Sequence, residues 1–348
     1  MPKTIRVGVI GTGGIATSQH IPGYQALEDV EIVALCDVVP GRASAAAESV
    51  PGARAYADFR DMLAREELDA VSVTTPNFRH RDATIAALEA GAHVLCEKPI
   101  AMNLAEGREM VAAARQAGKL LQVGLHMRFE TESQALRRYV VAGDLGEIYY
   151  GEATYMRRRG IPTWGVFTQS QYQGGGALID IGVHALDRAL WLMGNPKPAT
   201  VLGATYAHFG KRTDVAAPRG LWDVEKFDVD DMGVALIRFE NDATLILRAG
   251  WAGHIEGNIV GTRVMGTHGG ASMSPLRIHK DLHGEMVDIT PTGLVDTRPH
   301  AAEIAHFIGC IRGEGECIVE LEQVLDVQAI LDAIYESSRT GTVVQLDR

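Results

Sequence analysis

The stretch Ile5-Arg6-Val7-Gly8-Val9-Ile10-Gly11-Thr12-Gly13-Gly14-Ile15-Ala16 decides the fold. Its first half is apolar and alternates as a strand does; its second half is a glycine-rich turn ending on a small residue where a helix must begin. Gly11 permits the tight turn, Gly13 lets backbone approach a pyrophosphate, and Ala16 allows close helix packing on a sheet. Free amides at the helix start, with the positive end of its dipole, would meet the phosphate charge. Such a G-x-G-x-x-A run is weak alone. Here it follows a strand and opens a helix, and a second strand ends in Asp37, 21 residues after Ala16. A carboxylate at that distance accepts hydrogen bonds from an adenosine ribose; the competing reading is an ordinary turn with a solvated Asp. Asp37 repels a 2′-phosphate and so favours NAD, whereas Arg42 is near enough to bind that phosphate and leaves NADP open.

Outward from this stretch, short apolar runs alternate with helical patterns, the order expected of a doubly wound parallel sheet. Thr4 to Ile10, Glu31 to Asp37, Ala70 to Thr74, His93 to Cys96 and Leu120 to Val123 read as strands. Ile15 to Ala26, Arg42 to Glu48, Phe78 to Ala90 and Leu104 to Ala117 read as crossover helices, the last with an Asn103-x-x-Glu106 capping box and a closing Gly118. From about Leu125 the pattern changes. After a helix at Glu132 to Ala142, long alternating runs occupy Ile148 to Met156, Met232 to Phe239, Thr244 to Trp251 and Asn258 to Met265. Glu240-Asn241-Asp242 and His283-Gly284 read as hairpin turns, so this half is expected to be an α+β domain with a large, mostly antiparallel sheet. Helices at His300 to Arg312 and Leu321 to Thr340 and a short strand, Thr342 to Leu346, close the chain. The expected domains are residues 1–124 and 125–348, with His208 to Asp230 as a surface excursion.

Composition narrows the class. The chain has 348 residues, 46% hydrophobic and 22% charged, enough for two globular units. With 33 Lys and Arg against 44 Asp and Glu, its net charge of −11 opposes nucleic-acid binding. Neither of the long uncharged stretches, Gly8 to Leu27 and Gly160 to Ile179, is continuously apolar, so no membrane span is expected. Without a leader pattern, and with only Cys36, Cys96, Cys310 and Cys317, a cytoplasmic setting with reduced thiols is expected.

Three polar groups stand where chemistry would sit. Thr74-Thr75-Pro76-Asn77 follows the Ala70 strand, at the carboxyl edge that faces ligand in such sheets; a Pro-directed helix cap is the plain alternative. Glu97-Lys98-Pro99 follows the His93 strand, where an ammonium stabilises a developing alkoxide, or else merely pairs with Glu97. The third is Gly174 to Asp187. A helix from Gly176 puts Asp180 and His184 on one face, an imidazole for proton transfer beside a carboxylate that orients it. The glycine run would admit a cofactor or substrate. A zinc pair, His184 with Asp187, and a structural Asp–His bond are the rival readings; with no third ligand nearby, no metal is expected. Tyr155 and Trp164 offer an apolar wall for a sugar ring.

These residues together resemble the Gfo/Idh/MocA oxidoreductase family, which includes glucose-fructose oxidoreductase and inositol dehydrogenases. The likeness spans nearly the whole chain. It rests on Gly11 to Ala16, on Thr75-Pro76-Asn77 followed by His80, on Ala90-Gly91-Ala92-His93-Val94 leading into Glu97-Lys98-Pro99, and on Gly174-Gly175-Gly176 leading to Asp180-x-Gly182-x-His184. Gly143-Asp144-Leu145-Gly146-Glu147-Ile148 and the closing helices add to it. The resemblance implies an NAD(P)-binding Rossmann domain, then a substrate-binding domain whose open sheet makes a homodimer or homotetramer, with catalysis between them. It implies Lys98, Asp180 and His184 as catalytic residues. The cofactor set it implies is Gly11, Thr12, Gly13, Gly14, Ile15, Asp37, Arg42, Thr75, Pro76, Asn77, His80, Glu97 and Lys98. Lys98, Arg128, Tyr155, Trp164, Asp180 and His184 are expected to line the substrate. The activity expected is hydride transfer between NAD, or NADP, and a secondary hydroxyl or ketone of a sugar, inositol or related polyol. The alternatives are glycoside cleavage through transient oxidation and a non-catalytic dinucleotide-sensing regulator.

Overall fold

A computed structural model describes residues 3–346, which divide into two units: Met1–His126 with Thr297–Leu325, and Met127–Asp296 with Asp326–Arg348. The first unit holds β1 (Ile5–Ile10), α1 (Ile21–Gln25), β2 (Val30–Cys36), α2 (Arg42–Ala47), β3 (Arg54–Tyr56), α3 (Phe59–Arg65), β4 (Ala70–Val73), α4 (His80–Glu89), β5 (His93–Cys96), α5 (Leu104–Ala117) and β6 (Leu121–Val123). All six strands are parallel, in the order β3-β2-β1-β4-β5-β6. The expected doubly wound sheet is therefore present, and its central strands are buried on both faces, as helices on both sides require. The Asn103 side chain accepts from the Glu106 amide at 3.0 Å, and Gly118 ends α5 in the left-handed conformation. β3 and α3 were not expected. β3 is three residues without alternation, and α3 announces itself only by its cap, Asp58, which accepts from the Arg60 amide at 2.8 Å.

The second unit contains α6 (Thr131–Val141), β7 (Ile148–Met156), α7 (Ser170–Gln173), α8 (Val183–Leu192), β8 (Pro198–Tyr206), β9 (Met232–Phe239), β10 (Thr244–Gly250), β11 (Ile259–Gly266), β12 (Gly270–Ser272), β13 (Arg277–Leu282) and β14 (Glu285–Ile289). With β15 (Val344–Gln345) these strands make a nine-stranded sheet in the order β14-β13-β12-β11-β7-β10-β9-β8-β15, parallel only between β10 and β7. One face is core, built from Ala153, Ala235, Ile237, Leu245, Leu247 and Val264. On the other, Leu202 pairs with Leu236, Leu236 with Ile246, Ile246 with Glu152 and Glu152 with Arg263. Leu202 and Leu236 in that row are exposed. The His283-Gly284 turn has positive φ at both residues, which matches the twist of β13 and β14.

The chain returns to the first unit in α9 (Pro299–Ile311) before α10 (Leu321–Thr340), whose residues to Leu325 group with the first unit and the rest with the second. Expecting one unbroken second domain from residue 125 misses this return. Its cause is apolar: Ile304, Phe307 and Ile308 pack with Ile21, Tyr24 and Leu35 in one core.

Arg128, expected to line substrate, is instead wholly buried. Its Nη2 donates to Asp187 Oδ1 at 2.6 Å and its Nε to both oxygens at 3.0–3.1 Å, while its guanidinium lies over the Trp191 ring. The pairing ties both side chains together beside α8. Arg128→Met should destabilise the protein by about 3–5 kcal/mol, because Asp187 is left charged in a dry interior. Urea unfolding measures it, and a loss under about 1 kcal/mol would contradict the assignment.

Candidate active site

In the first unit the ladder of five of the six strands runs one step beyond its end: Gly11 N donates to Cys36 O, Asp37 N to Tyr56 O, Thr74 N to Ile10 O, Glu97 N to Val73 O and Gly124 N to Cys96 O. Every loop singled out in the sequence therefore leaves from one edge of the sheet. At Gly11 (φ +93°) a Cβ would stand 2.8 Å from the Thr74 carbonyl, so only glycine fits. Space is open where a Cβ would stand on Gly13 and Gly14. The helix starts from this loop, with Thr17 N donating to Gly13 O, and makes one π turn at Ala16–His20 before α1. Asp37 is clamped beside it: Oδ2 accepts from the Thr12 amide at 2.9 Å and Oδ1 from the Val39 amide at 2.8 Å, and Arg42 approaches Oδ2 at 3.5 Å. Thr75 Oγ1 is buried with no hydrogen-bond partner among the described residues. A glycine cradle, a carboxylate at the end of the neighbouring strand and an orphan hydroxyl on one edge fit a dinucleotide.

Two expected cofactor contacts prove to be internal struts. The fully buried His80 ring bridges Thr75 O at 2.9 Å and Pro99 O at 2.8 Å, tying together the loops after β4 and β5. Burial lowers its pKa, and the two carbonyls and Glu97 work against that. Glu97 turns inward, accepting from His20 Nε2 at 2.9 Å and from the Lys98 amide at 3.2 Å. Burial raises the Glu97 pKa, but the His20 bond and charge, then Lys98 and His300, bring it down to about 2. Lys98 itself is half-buried at the edge.

In the second unit, Asp230 builds the start of the Asp180–His184 helix. Its carboxylate accepts from Gly176 N at 2.7 Å, Leu178 N at 3.0 Å and Tyr335 Oη at 2.6 Å, and its carbonyl accepts from Ala177 N at 3.0 Å. One residue so satisfies three of the amides a helix start leaves open. Burial raises the Asp230 pKa, and these bonds oppose it. The glycine run serves this packing: a Cβ on Gly176 would lie 1.9 Å from Asp230 O, and one on Gly175 2.1 Å from Tyr335 Oη. A π turn at Leu178–Gly182 precedes α8, and Asp180 and His184 lie at consecutive turns. Trp251 donates Nε1–H to Asp180 Oδ2 at 2.8 Å, fixing that carboxylate. No cluster of three metal-binding side chains occurs among the described residues.

Tyr155 is half-buried beneath the Arg157 guanidinium, and Trp164 stands exposed, edge-on to Phe167. The structure thus groups Gly11 to Ile15, Asp37, Arg42 and Thr75 to Asn77 with Glu97 and Lys98 on one sheet edge, and Asp180 with His184 on one helix. Sequence reading missed His20, Trp251 and Asp230. Asp230 lay in the least patterned segment, and nothing local links His20 to Glu97 or Trp251 to Asp180.

Residues 5–125 match the family model described as oxidoreductase family, NAD-binding Rossmann fold, and residues 137–346 the one described as oxidoreductase family, C-terminal alpha/beta domain, both of the Gfo/Idh/MocA type. A D-glucoside 3-dehydrogenase from Escherichia coli K12 is 38% identical over 98% of this chain and 97% of its own length. The fold matches the crystal structure of an oxidoreductase domain protein from Kribbella flavida, with a TM-score of 0.87 at 23% identity over the whole of both chains. It also matches a levoglucosan dehydrogenase solved with NADH and levoglucosan, with a TM-score of 0.83 at 23% identity over 99% of this chain and 100% of that one. No helix among the described residues is long and apolar enough to cross a membrane.

The Glu97 environment sets an acid limb. Its folded pKa lies below its ordinary one of 4.5, so the stabilisation is complete above about pH 4.5 and is lost as pH falls through about 2. Between pH 5 and 2 the stability difference between wild type and Glu97→Gln should shrink by up to about 3 kcal/mol, read from denaturant unfolding at each pH. A constant difference would mean that Glu97 is not held as a carboxylate.

Proposed function

Because the chain belongs to the Gfo/Idh/MocA oxidoreductase family, we propose that it is an NAD-dependent dehydrogenase of a sugar's secondary ring hydroxyl, the 3-hydroxyl of a glucoside first among them. The observation that carries this reading is that Lys98, Asp180 and His184 are all present on the elements described above, in a chain matched end to end by a D-glucoside 3-dehydrogenase. The Gly11–Ile15 loop, Asp37 and the Thr75–Asn77 loop would hold NAD, which when bound would supply the hydride acceptor. His184 accepts the hydroxyl proton as the carbon is oxidised and returns it in the reverse direction. The Lys98 ammonium stabilises the partial alkoxide by charge and hydrogen bonding. Asp180, its carboxylate steadied by Trp251, holds the sugar hydroxyl in line with the imidazole. Trp164 and Tyr155 offer ring faces to the sugar.

Preference for NAD follows from Asp37. Two backbone amides pin its charge at the loop, and Arg42, the side chain suited to a 2′-phosphate, is drawn toward that carboxylate. We read Leu202 and Leu236, exposed on the open sheet face, as part of the contact of a homodimer or homotetramer, and four free cysteines as suiting a cytoplasmic setting.

Methyl α- and β-D-glucopyranoside, supplied with NAD or NADP while reduced-nicotinamide absorbance is followed, test the proposal. Net accumulation of NADH supports a dehydrogenase; cleavage of the glycoside without it supports transient oxidation instead. Lys98→Met and His184→Ala should each lower kcat by about 10²–10⁴-fold while NADH affinity stays within a few-fold. Near-normal turnover in both sinks the assignment. Asp37→Ser should move the NADP-to-NAD ratio of kcat/KM upward by at least about tenfold, since one ionic repulsion is removed; an unchanged ratio places cofactor choice elsewhere.

A further inference from the structure

Among the buried polar groups that the reaction leaves unused, one cluster leads back to its lysine. His20 and Ser72 are fully buried and Glu97 nearly so. The Tyr24 hydroxyl lies 2.7 Å from Ser72 Oγ, which lies 3.1 Å from His20 Nδ1, and His20 Nε2 lies 2.9 Å from Glu97 Oε1. Glu97, kept ionised, can only accept, so Nε2 is the donor. The other Glu97 oxygen accepts the amide of Lys98 at 3.2 Å. Gly124 lies beside the carboxylate, where an added Cβ would come within 3.2 Å of it, so the absence of a side chain there leaves Glu97 its place.

We infer that His20 and Glu97 are a positioning pair that makes the placement of Lys98 depend on the dinucleotide loop. His20 closes the π turn that springs from Gly13, and Glu97 is the residue before the lysine. A continuous path therefore joins the loop that would receive the pyrophosphate to the backbone of Lys98, through two side-chain bonds only. Stability alone does not account for such a pair. Taking an acid and an imidazole out of water costs about as much as their attraction returns, and apolar residues of similar volume hold a core equally well. What leucines at both positions cannot do is fix the Lys98 amide. This inference rests on the reading of Lys98 as the alkoxide-stabilising residue; Lys98→Met serves as its reference.

The experiment compares wild type, Lys98→Met, His20→Gln, Glu97→Gln and the double variant His20→Leu/Glu97→Leu. Each is measured for kcat and KM with NAD and methyl glucopyranoside, for the dissociation constant of NADH by fluorescence, and for thermal midpoint. The double variant should fold, bind NADH within about threefold of wild type, and lose about 10- to 100-fold in kcat, the size expected of a misplaced catalytic group. His20→Gln, which keeps an N–H donor near the position of Nε2, should recover most of that loss, whereas Glu97→Gln should not reach the wild-type rate. A double variant with wild-type kcat overturns the inference. So does a rate loss that tracks NADH affinity or the melting midpoint across the series, since both mark a structural role. If Lys98→Met itself turns over normally, the reading of the lysine fails instead, and the pair has no reacting group to position.

Discussion

The carbonyls at the ends of the parallel strands govern everything else in the first unit. Every strand but β3 passes one more hydrogen bond to its neighbour after leaving the sheet, so the loops emerge in register. Because parallel strands all end on the same edge, this single rule gathers the Gly11 turn, Asp37, the Thr75 loop and Lys98 without any of them being close in sequence. The close approach of Gly11 to Thr74 is a direct result: two loops that share an edge this tightly leave no room for a Cβ.

The second unit solves a different problem by a different means. There Asp180 and His184 sit on a helix, whose open amides would otherwise be left in a buried place. Asp230 supplies the acceptors, and two glycines let it come close enough to do so. Trp251 then holds the Asp180 carboxylate from the sheet. The helix therefore takes its position from a strand-side aspartate, and its Asp180 carboxylate is held by an indole.

What could be read beforehand had local causes. The Gly11–Ala16 turn, the strand ending at Cys36 beside Asp37, the strand His93–Cys96, the hairpin at His283-Gly284 and the helix Leu321–Thr340 all follow from periodicity and turn chemistry within a dozen or so residues. The Asp180–His184 spacing was legible for the same reason. What escaped was either too short or too distant. β3 offers three residues with no alternation. Arg128 looked like a group for substrate until Asp187, 59 residues away, was seen to take it. The glycine run was legible as a site of close approach, but the partner, Asp230, was hidden in an unpatterned excursion. His80 and Glu97 stood on the right loops, yet their side chains serve the loops themselves.

The return of the chain through α9 bears on how the protein is made. Ile304, Phe307 and Ile308 complete the core around Ile21 and Tyr24, yet about 170 residues of the other unit are translated in between. A nascent chain paused anywhere before that helix leaves an apolar gap against α1, so the nucleotide-type unit, although its six strands are translated first, stays incomplete until α9 emerges. Its closing helix arrives only after eight of the nine strands of the other sheet have been translated, and the ninth, β15, follows later still.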